Sequence, residues 1–305
     1  QIIDISDPMS ISLVCHMPDI SITELVIENQ IAYTVRSQGN DLAIFDITNP
    51  TTPDLCFYRR VSDWIWIEMT AGGGWMFFTN IVENEWGDEI YLNIFTLADP
   101  RNPRGSSRQF SISHCIHNNS DLYFHTSRNN LEGVGFYRLP GFEFIGIHDW
   151  IHPVDLSSID NHLLALTASN NLQIINITDP ENPELASEIG LEGERPVLFD
   201  HDMQTVAAIS DSSTINIIDI QEIENPVLIN SYRYERPVKD IDILGSIGVL
   251  LNEPFDFQTF RWNEDGIETL GSLSGRGRAT DVKIDGGIGY MCCSESGFKK
   301  MDLSD

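Results

Sequence analysis

NLQIINITDPENP, residues Asn171–Pro183, is the stretch that decides the fold. Apolar side chains at Leu172, Ile174 and Ile175 predict a short β-strand, rich in β-branched residues. The Thr-Asp-Pro that follows predicts a turn, because proline fixes φ and has no N–H to donate to a sheet. A second Asn-Pro step then directs the chain into the next strand.

This strand-and-turn unit recurs along the whole sequence. Clear copies occupy Ile2–Pro8, Leu42–Pro50, Tyr91–Pro100 and Ile215–Ile220, and weaker copies occupy Gly133–Gly141, Phe255–Trp262 and Gly297–Asp305. The place held by Asp4 recurs after 42, 50, 42, 38, 43, 42 and 41 residues. Repetition at this period is typical of four-stranded propeller blades.

The remaining strands are short, and no apolar pattern with a helical period is sustained. We therefore predict an all-β protein, a seven-bladed β-propeller of four-stranded antiparallel blades, with eight blades as the alternative. Residues 1–305 form a single domain, and N-terminal strands close the ring by pairing with the C-terminal blade. The copy at Gln1–Asp7 competes with Gly297–Leu303 for one place in that blade. The start in mid-repeat indicates truncation or processing.

The repeat also resembles a known family. The stretch RATDVKIDGGIGYMCCSESGFKKMDLSD, Arg278–Asp305, combined with the Asp-Pro and Asn-Pro turn, resembles the LVIVD-repeat β-propellers of bacterial and archaeal surfaces. The resemblance extends over the whole chain, with degraded units around Thr96, Arg138 and Arg261. It implies a propeller and an extracellular or cell-surface protein, whose signal segment is absent from this chain. It implies no catalytic residues.

Composition narrows the classes of partner. The formal net charge is −28, from 46 acidic and 18 basic residues, which disfavours nucleic acids and anionic membrane surfaces. The long uncharged run at Asn161–Thr178 is rich in Asn, Ser and Thr, so we predict no membrane insertion. The five cysteines lack metal-ligand spacing, and we interpret them as free thiols. We expect a monomer.

Aligned repeats place polar residues at one position of the innermost strands. That position is held by Glu24, Asp63, His114, Asp155, Leu198, Asp240 and Asp281. In one interpretation each carboxylate holds the preceding loop by accepting backbone N–H groups. In the other, Asp63, Asp155, Asp240 and Asp281 form a channel site for a hard cation such as Ca²⁺. No other cofactor is predicted.

Basic residues cluster just before that position. Arg60, His152, Arg195 and Arg278 lie three residues before it, and Arg236 lies four before it. These groups could bind a carboxylate or phosphate at the channel mouth, or they could neutralise the neighbouring carboxylates.

The second unit is longer than the others and carries an acidic insertion at Thr79–Glu89. We predict that this insertion is a loop on the mouth face, with Trp86 exposed for recognition of a partner.

No sequence motif for catalysis is present. His148, Asp149, His152 and Asp155 are the densest group that could hold a metal ion. We predict a non-enzymatic extracellular or cell-surface propeller that binds a protein or glycan through the channel-mouth face. The alternatives are a metal-assisted hydrolase or lyase, using Asp155, Asp240, Asp281 and His152 at the mouth, and a structural spacer of a surface array.

Overall fold

A computed structural model provides the structure. It describes residues 2–4, 6, 12–15, 22, 24–36, 41–60, 65–72, 74–84, 87–109, 112–118, 121–128, 131–138, 143–252, 256–263, 265–274, 279–285 and 288–293. Within these residues every regular element is a β-strand. The 28 strands pair into seven antiparallel sheets of four strands each. The prediction of an all-β propeller with four-stranded antiparallel blades is confirmed.

We number the sheets as blades 1 to 7, starting from the first sheet whose strands are consecutive in sequence. Their strands are, for blade 1, β3 (Glu24–Glu28), β4 (Ile31–Arg36), β5 (Asp41–Asp46) and β6 (Asp54–Arg60); for blade 2, β7 (Ile65–Gly72), β8 (Trp75–Asn84), β9 (Gly87–Thr96) and β10 (Arg104–Gln109); for blade 3, β11 (Ile112–Asn118), β12 (Asp121–Arg128), β13 (Leu131–Arg138) and β14 (Glu143–His148); for blade 4, β15 (Pro153–Ile159), β16 (His162–Thr167), β17 (Asn171–Asn176) and β18 (Glu184–Gly190); for blade 5, β19 (Pro196–His201), β20 (Thr205–Ser210), β21 (Thr214–Asp219) and β22 (Val227–Arg233); for blade 6, β23 (Val238–Leu244), β24 (Ile247–Asn252), β25 (Asp256–Asn263) and β26 (Gly266–Ser274); and for blade 7, β27 (Ala279–Asp285), β28 (Ile288–Cys293), β1 (Ile2–Asp4) and β2 (Ser12–Cys15).

The first strand of each blade lies innermost. It contacts the first strand of the next blade around the whole circle, and β27 of blade 7 contacts β3 of blade 1. The circle closes within blade 7, where Ile2 pairs with Tyr290 and Asp4 pairs with Ile288. The N-terminal copy of the repeat therefore takes the third place in that blade, and Gly297–Leu303 lies outside the described residues.

The core lies between neighbouring blades. Leu164 and Leu166 of blade 4, for example, pack with Phe199 and Val206 of blade 5. The second and third strands of a blade are covered on both faces, which explains why LLALT, from Leu163, is a continuous apolar run. Burial of these side chains is the main favourable contribution to folding.

The turn that ends each third strand explains the repeat itself. Side-chain oxygens of Asp46, Asn176 and Asp219 accept the N–H of the residue two positions later, at 3.0, 2.9 and 2.8 Å. Asp179, in the Asp-Pro step, accepts the Glu181 N–H at 3.1 Å in the same way. Asp and Asn recur at these places because their short side chains stabilise such turns.

The acidic insertion in blade 2 was predicted wrongly as a loop. β8 and β9 each run for 10 residues, and their pairing continues to Asn84 and Gly87. The equivalent strands β16 and β17 have six residues, so the blade 2 hairpin extends about 13 Å further at about 3.3 Å per residue. Acidic residues have low β propensity and interrupt the alternation of apolar and polar residues in Thr79–Glu89. The sequence therefore did not reveal that this segment forms strands. Trp86 lies outside the described residues.

Candidate functional site

Carboxylates of the innermost strands tie each blade to the next one. The observed bonds, each accepted from a backbone N–H of the following blade, are Met69 to Glu24 at 2.5 Å, Phe199 to Asp155 at 3.0 Å, Val282 to Asp240 at 2.7 Å and Leu25 to Asp281 at 2.6 Å. We call these residues the first row. Of the two interpretations of the repeated Asp, the structure supports backbone binding, although the bound N–H belongs to the neighbouring blade and not to the preceding loop.

One member of the aligned set was placed wrongly. Asp155 follows a bulge in β15 and pairs with Leu166. In blade 2 the residue after the corresponding bulge is Glu68, which pairs with Thr79. Glu68 therefore holds the first-row position, whereas Asp63 lies outside the described residues. The alignment failed because the connection into the inner strand varies in length, with 22 residues from Asp46 to Glu68 but 17 from Arg138 to Asp155.

A second row of polar residues lies two positions further along the inner strands. Asp200 accepts the Ile243 N–H at 3.0 Å, and Asp242 accepts the Ile284 N–H at 2.5 Å. Asp200 ties blade 5 to blade 6, where the first-row residue is Leu198 and offers no acceptor. Sequence analysis missed this row, although the strand period of two residues places i and i+2 on one face and could have revealed it.

Lys283 holds the second-row position in blade 7. Its ammonium group interacts electrostatically with four carboxyl groups of both rows, those of Asp242, Asp200, Asp240 and Asp281. Burial alone would lower the pKa of Lys283, but these carboxyl groups raise it well above its ordinary value. Lys283 therefore stays charged and supplies the positive charge among the acidic side chains.

Two carboxyl pairs surround Lys283. Burial first, and then the neighbouring Asp281, raise the pKa of Asp240 well above its ordinary value, and the two side chains share a hydrogen bond. Burial also raises the pKa of Asp281, and Glu24 adds to the effect, although Lys283 and the bond from Asp240 oppose it. The pKa is thus raised for both carboxyl groups of this pair, and further for Asp240 than for Asp281.

The second pair joins Asp200 and Asp242. Burial, followed by the charge of Asp200, raises the pKa of Asp242 well above its ordinary value. Burial would also raise the pKa of Asp200, but Lys283 and the hydrogen bond from Asp242 lower it overall. In each pair, burial and the neighbouring carboxyl group favour the protonated form of one member most, Asp240 in the first pair and Asp242 in the second.

These contacts bear on the predicted metal sites. Among the described residues, no group of three or more His, Cys, Asp and Glu side chains is arranged to hold a metal ion. His148 packs edge-on against Phe136, with ring centroids 4.9 Å apart, while Asp155 binds the Phe199 N–H. The first-row carboxyl groups accept backbone N–H groups, and those of Asp240 and Asp281 also interact with Lys283. A Ca²⁺ site stays a prediction.

Three of the predicted basic residues lie at the end of the ring where the innermost strands begin. His152, Arg195 and Arg236 are exposed, in the connections that directly precede β15, β19 and β23. Arg278 lies outside the described residues. Arg60 ends β6, the outermost strand of blade 1, and its side chain is not described.

The mouth is not uniformly basic. Exposed Glu194 precedes Arg195, and exposed Glu235 precedes Arg236. Exposed apolar side chains lie beside them, Trp150 in the connection of His152 and Val197 at the start of β19. The surface therefore combines charges of both signs with aromatic and aliphatic area.

The connection that carries Arg195 has a fixed conformation. Asp211 Oδ1 accepts the N–H groups of Glu194 and Arg195 at 3.0 and 3.2 Å, and the Asp211 N–H donates to the Arg195 carbonyl at 2.7 Å. Gly193 has a φ of +98°, and a Cβ there would lie 2.6 Å from the Ser210 Cβ. Only glycine fits this place, so Arg195 is presented by a preorganised loop.

Comparison with solved structures shows the fold. The chain is similar to the β-propeller domain of Cps50 (Swd1) from Myceliophteria thermophila, with 10% identity, a TM-score of 0.65 and coverage of 88% of this chain and 91% of that one. It is also similar to a chain of the Mitotic Checkpoint Complex, with 10% identity, a TM-score of 0.66 and coverage of 98% and 94%. The computationally designed Ika8 protein is 9% identical, with a TM-score of 0.61 and coverage of 94% and 97%.

The described residues contain no helix with the length and apolar character needed to span a lipid bilayer. Among curated proteins, none matches the chain significantly. Residues 31–58, which comprise β4, β5 and most of β6, match the model of the LVIVD repeat. The chain is thus a β-propeller that contains an LVIVD repeat, in agreement with the resemblance seen in its sequence.

Proposed function

We propose that the protein is a single-domain, seven-bladed, non-enzymatic binding module that recognises a protein partner through its channel-mouth face. The observation that carries the proposal is the exposure of His152, Arg195 and Arg236 in the corresponding connections of three consecutive blades. The chain has only 18 Lys and Arg residues against 46 Asp and Glu, so basic groups at one face are conspicuous.

The character of the mouth favours a protein partner. Arg and Trp are enriched at the energetic centres of protein interfaces, and charges of both signs give orientation and specificity. Trp150 is 41% exposed and Val197 is also 41% exposed, so the mouth offers apolar area beside its charges. The preorganised Arg195 loop would lose little conformational entropy when a partner binds.

A glycan is the second candidate. The exposed indole of Trp150 lies two residues from His152, and an aromatic face next to a hydrogen-bonding side chain is suited to stacking on a sugar ring. We propose an extracellular or cell-surface location in keeping with the LVIVD-repeat resemblance, and a monomeric state.

The proposal is tested with a pair of charge-reversal variants. Arg195→Glu/Arg236→Glu changes the mouth, and Arg101→Glu/Arg261→Glu makes the same change of charge on the opposite face, where both arginines are exposed. Immobilised wild-type and variant proteins are incubated with a surface-protein extract of the source organism, and captured proteins are quantified by mass spectrometry. A glycan array is run in parallel.

We expect one or more proteins to be captured by the wild type and by the opposite-face variant, and at least tenfold less by the mouth variant. Equal capture by all three would overturn the mouth as the binding face. Selective binding of the wild type to a glycan, with no protein dependent on the mouth arginines, would replace the protein partner by a sugar.

A further inference from the structure

Ser157 and His201 form a hydrogen-bonded pair at the junction of blades 4 and 5. Ser157 Oγ lies 2.7 Å from His201 Nε2, and His201 Nδ1 lies 3.0 Å from the Asp202 carbonyl oxygen. A carbonyl oxygen can only accept, so Nδ1 carries the proton in this arrangement. Nε2 is then unprotonated and accepts the hydrogen bond that the Ser157 hydroxyl donates.

This arrangement is the one that makes a serine nucleophilic. The imidazole can take the hydroxyl proton as general base, while the Asp202 carbonyl holds the ring in the required tautomer. The carboxyl group of Asp200 also interacts electrostatically with His201. A negative charge at this place favours the imidazolium that forms when the serine gives up its proton.

The pair differs from the bonds that join the other blades. Ser157 holds the second-row position in blade 4, which Asp200 and Asp242 hold in blades 5 and 6. Those carboxylates bind a backbone N–H of the next blade, whereas Ser157 binds a titratable side chain. The junction of blades 4 and 5 already has the first-row bond between Asp155 and the Phe199 N–H.

Both side chains are partly accessible, and both belong to innermost strands, β15 and β19. We propose that Ser157 is a nucleophilic serine, activated by His201, that reacts with small acyl or phosphoryl electrophiles entering from the channel. This reactive site is separate from the mouth-face binding site and goes beyond the proposed binding function.

The step is defined by its bonds. With a fluorophosphonate, Ser157 Oγ attacks phosphorus, the O–P bond forms and the P–F bond breaks. The hydroxyl proton passes to His201 Nε2, and fluoride leaves with the electron pair of the P–F bond. No oxidant or metal ion takes part, and the product is a stable phosphonyl-serine.

The folded full-length protein is incubated with a biotinylated fluorophosphonate, and the modified residue is located by peptide mass spectrometry. We expect one adduct per chain, on Ser157. His201→Gln, which retains a hydrogen-bonding side chain but no general base, should slow labelling by about 100-fold or more. Ser158→Ala removes the neighbouring hydroxyl and should leave the labelling rate unchanged.

The modified residue is located in the wild-type protein by mass spectrometry. The test therefore does not require a folded Ser157→Ala variant. No adduct, an adduct on another serine, or equal labelling rates of the wild type and a folded His201→Gln variant would each overturn the proposal. The mouth variant Arg195→Glu/Arg236→Glu should be labelled at the wild-type rate, so the result is separable from the fate of the binding proposal.

Discussion

Asp240 and Asp281, on the neighbouring innermost strands β23 and β27, share a hydrogen bond between their carboxyl groups. Each also accepts a backbone N–H from the next blade, from Val282 at 2.7 Å and from Leu25 at 2.6 Å. The two residues therefore connect two successive junctions of the ring. This arrangement makes stability depend on pH in a definite direction.

Asp240→Asn should stabilise the protein relative to the wild type as the pH rises. The pKa of Asp240 is raised above 3.8, so the folded state binds its proton more tightly than the unfolded chain does. Its contribution to stability is thus complete below the unfolded pKa and is lost as the pH rises through the folded pKa. Asparagine keeps an acceptor for Val282 and a donor for Asp281 without titrating. We expect a relative gain on the order of 1 kcal/mol at pH 8 and almost none at pH 4, measured by urea unfolding.

Asp46→Asn is the control for this substitution. Asp46 is partly exposed, and the hydrogen bond with Thr48 lowers its pKa, so its contribution has the opposite sign and is lost as the pH falls. Asn176 holds the equivalent turn position naturally and makes the same bond. If Asp240→Asn instead lost stability relative to the wild type between pH 4 and pH 8, the result would contradict a raised pKa of Asp240.

Lys283→Met should be among the most destabilising single substitutions of the inner strands. It leaves two carboxyl pairs without their cation, and removing one member of a buried charged group costs about 3–5 kcal/mol. The loss should be largest at pH 8 and smaller at pH 4, where the carboxyl groups take up protons. Lys239→Met is the control, since Lys239 is exposed on the neighbouring strand, and its effect should stay within about 0.5 kcal/mol. Equal losses at both pH values would exclude the electrostatic role of Lys283.

Gly193→Ala should disturb the loop that presents Arg195. The added Cβ would lie 2.6 Å from the Ser210 Cβ and 2.8 Å from the Asp211 Oδ2, at a φ of +98°. We expect a loss of about 1–3 kcal/mol from strain and weaker capture of the mouth-face partner. Gly245→Ala is the control, because Gly245 has a φ of +62° with open space around its Cβ position. It should cost about 1 kcal/mol and leave capture unchanged, whereas equal effects of both substitutions on capture would contradict a preorganised loop.

The sequence predicted most of the fold because the residues that stabilise the turns recur in the repeats. Asp46, Asn176 and Asp219 recur for a local reason, the N–H two residues later, and local reasons leave a periodic signal. In blade 2 the alignment took Asp63 although Glu68 holds the position, because the connection from the preceding turn differs in length between blades. The length of such a connection is not fixed by the fold, so spacing alone could not find the equivalent residue.

The candidate site was only partly predictable, because its hydrogen bonds and charge interactions join residues of neighbouring blades. The first row was visible as repeated carboxylates, but their acceptance of N–H groups from the next blade joins residues about 40 positions apart. Lys283 holds its position in one blade only, so no repeat reveals it. The partners of Lys283 and His201 depend on how neighbouring blades are packed, and that is set by the closed ring.

Asp155→Ala tests the ties between blades at a single junction. It removes the acceptor of the Phe199 N–H, and leaving a partly buried donor unpaired costs about 1–3 kcal/mol. Amide hydrogen exchange should show faster exchange at Phe199, while Leu25, which is bound by Asp281 at a different junction, keeps its protection. Asp155→Asn keeps an acceptor oxygen and should restore most of the protection at Phe199. If Asp155→Ala left Phe199 protected, or lowered protection equally at both amides, the carboxylate would not act as a tie between blades 4 and 5.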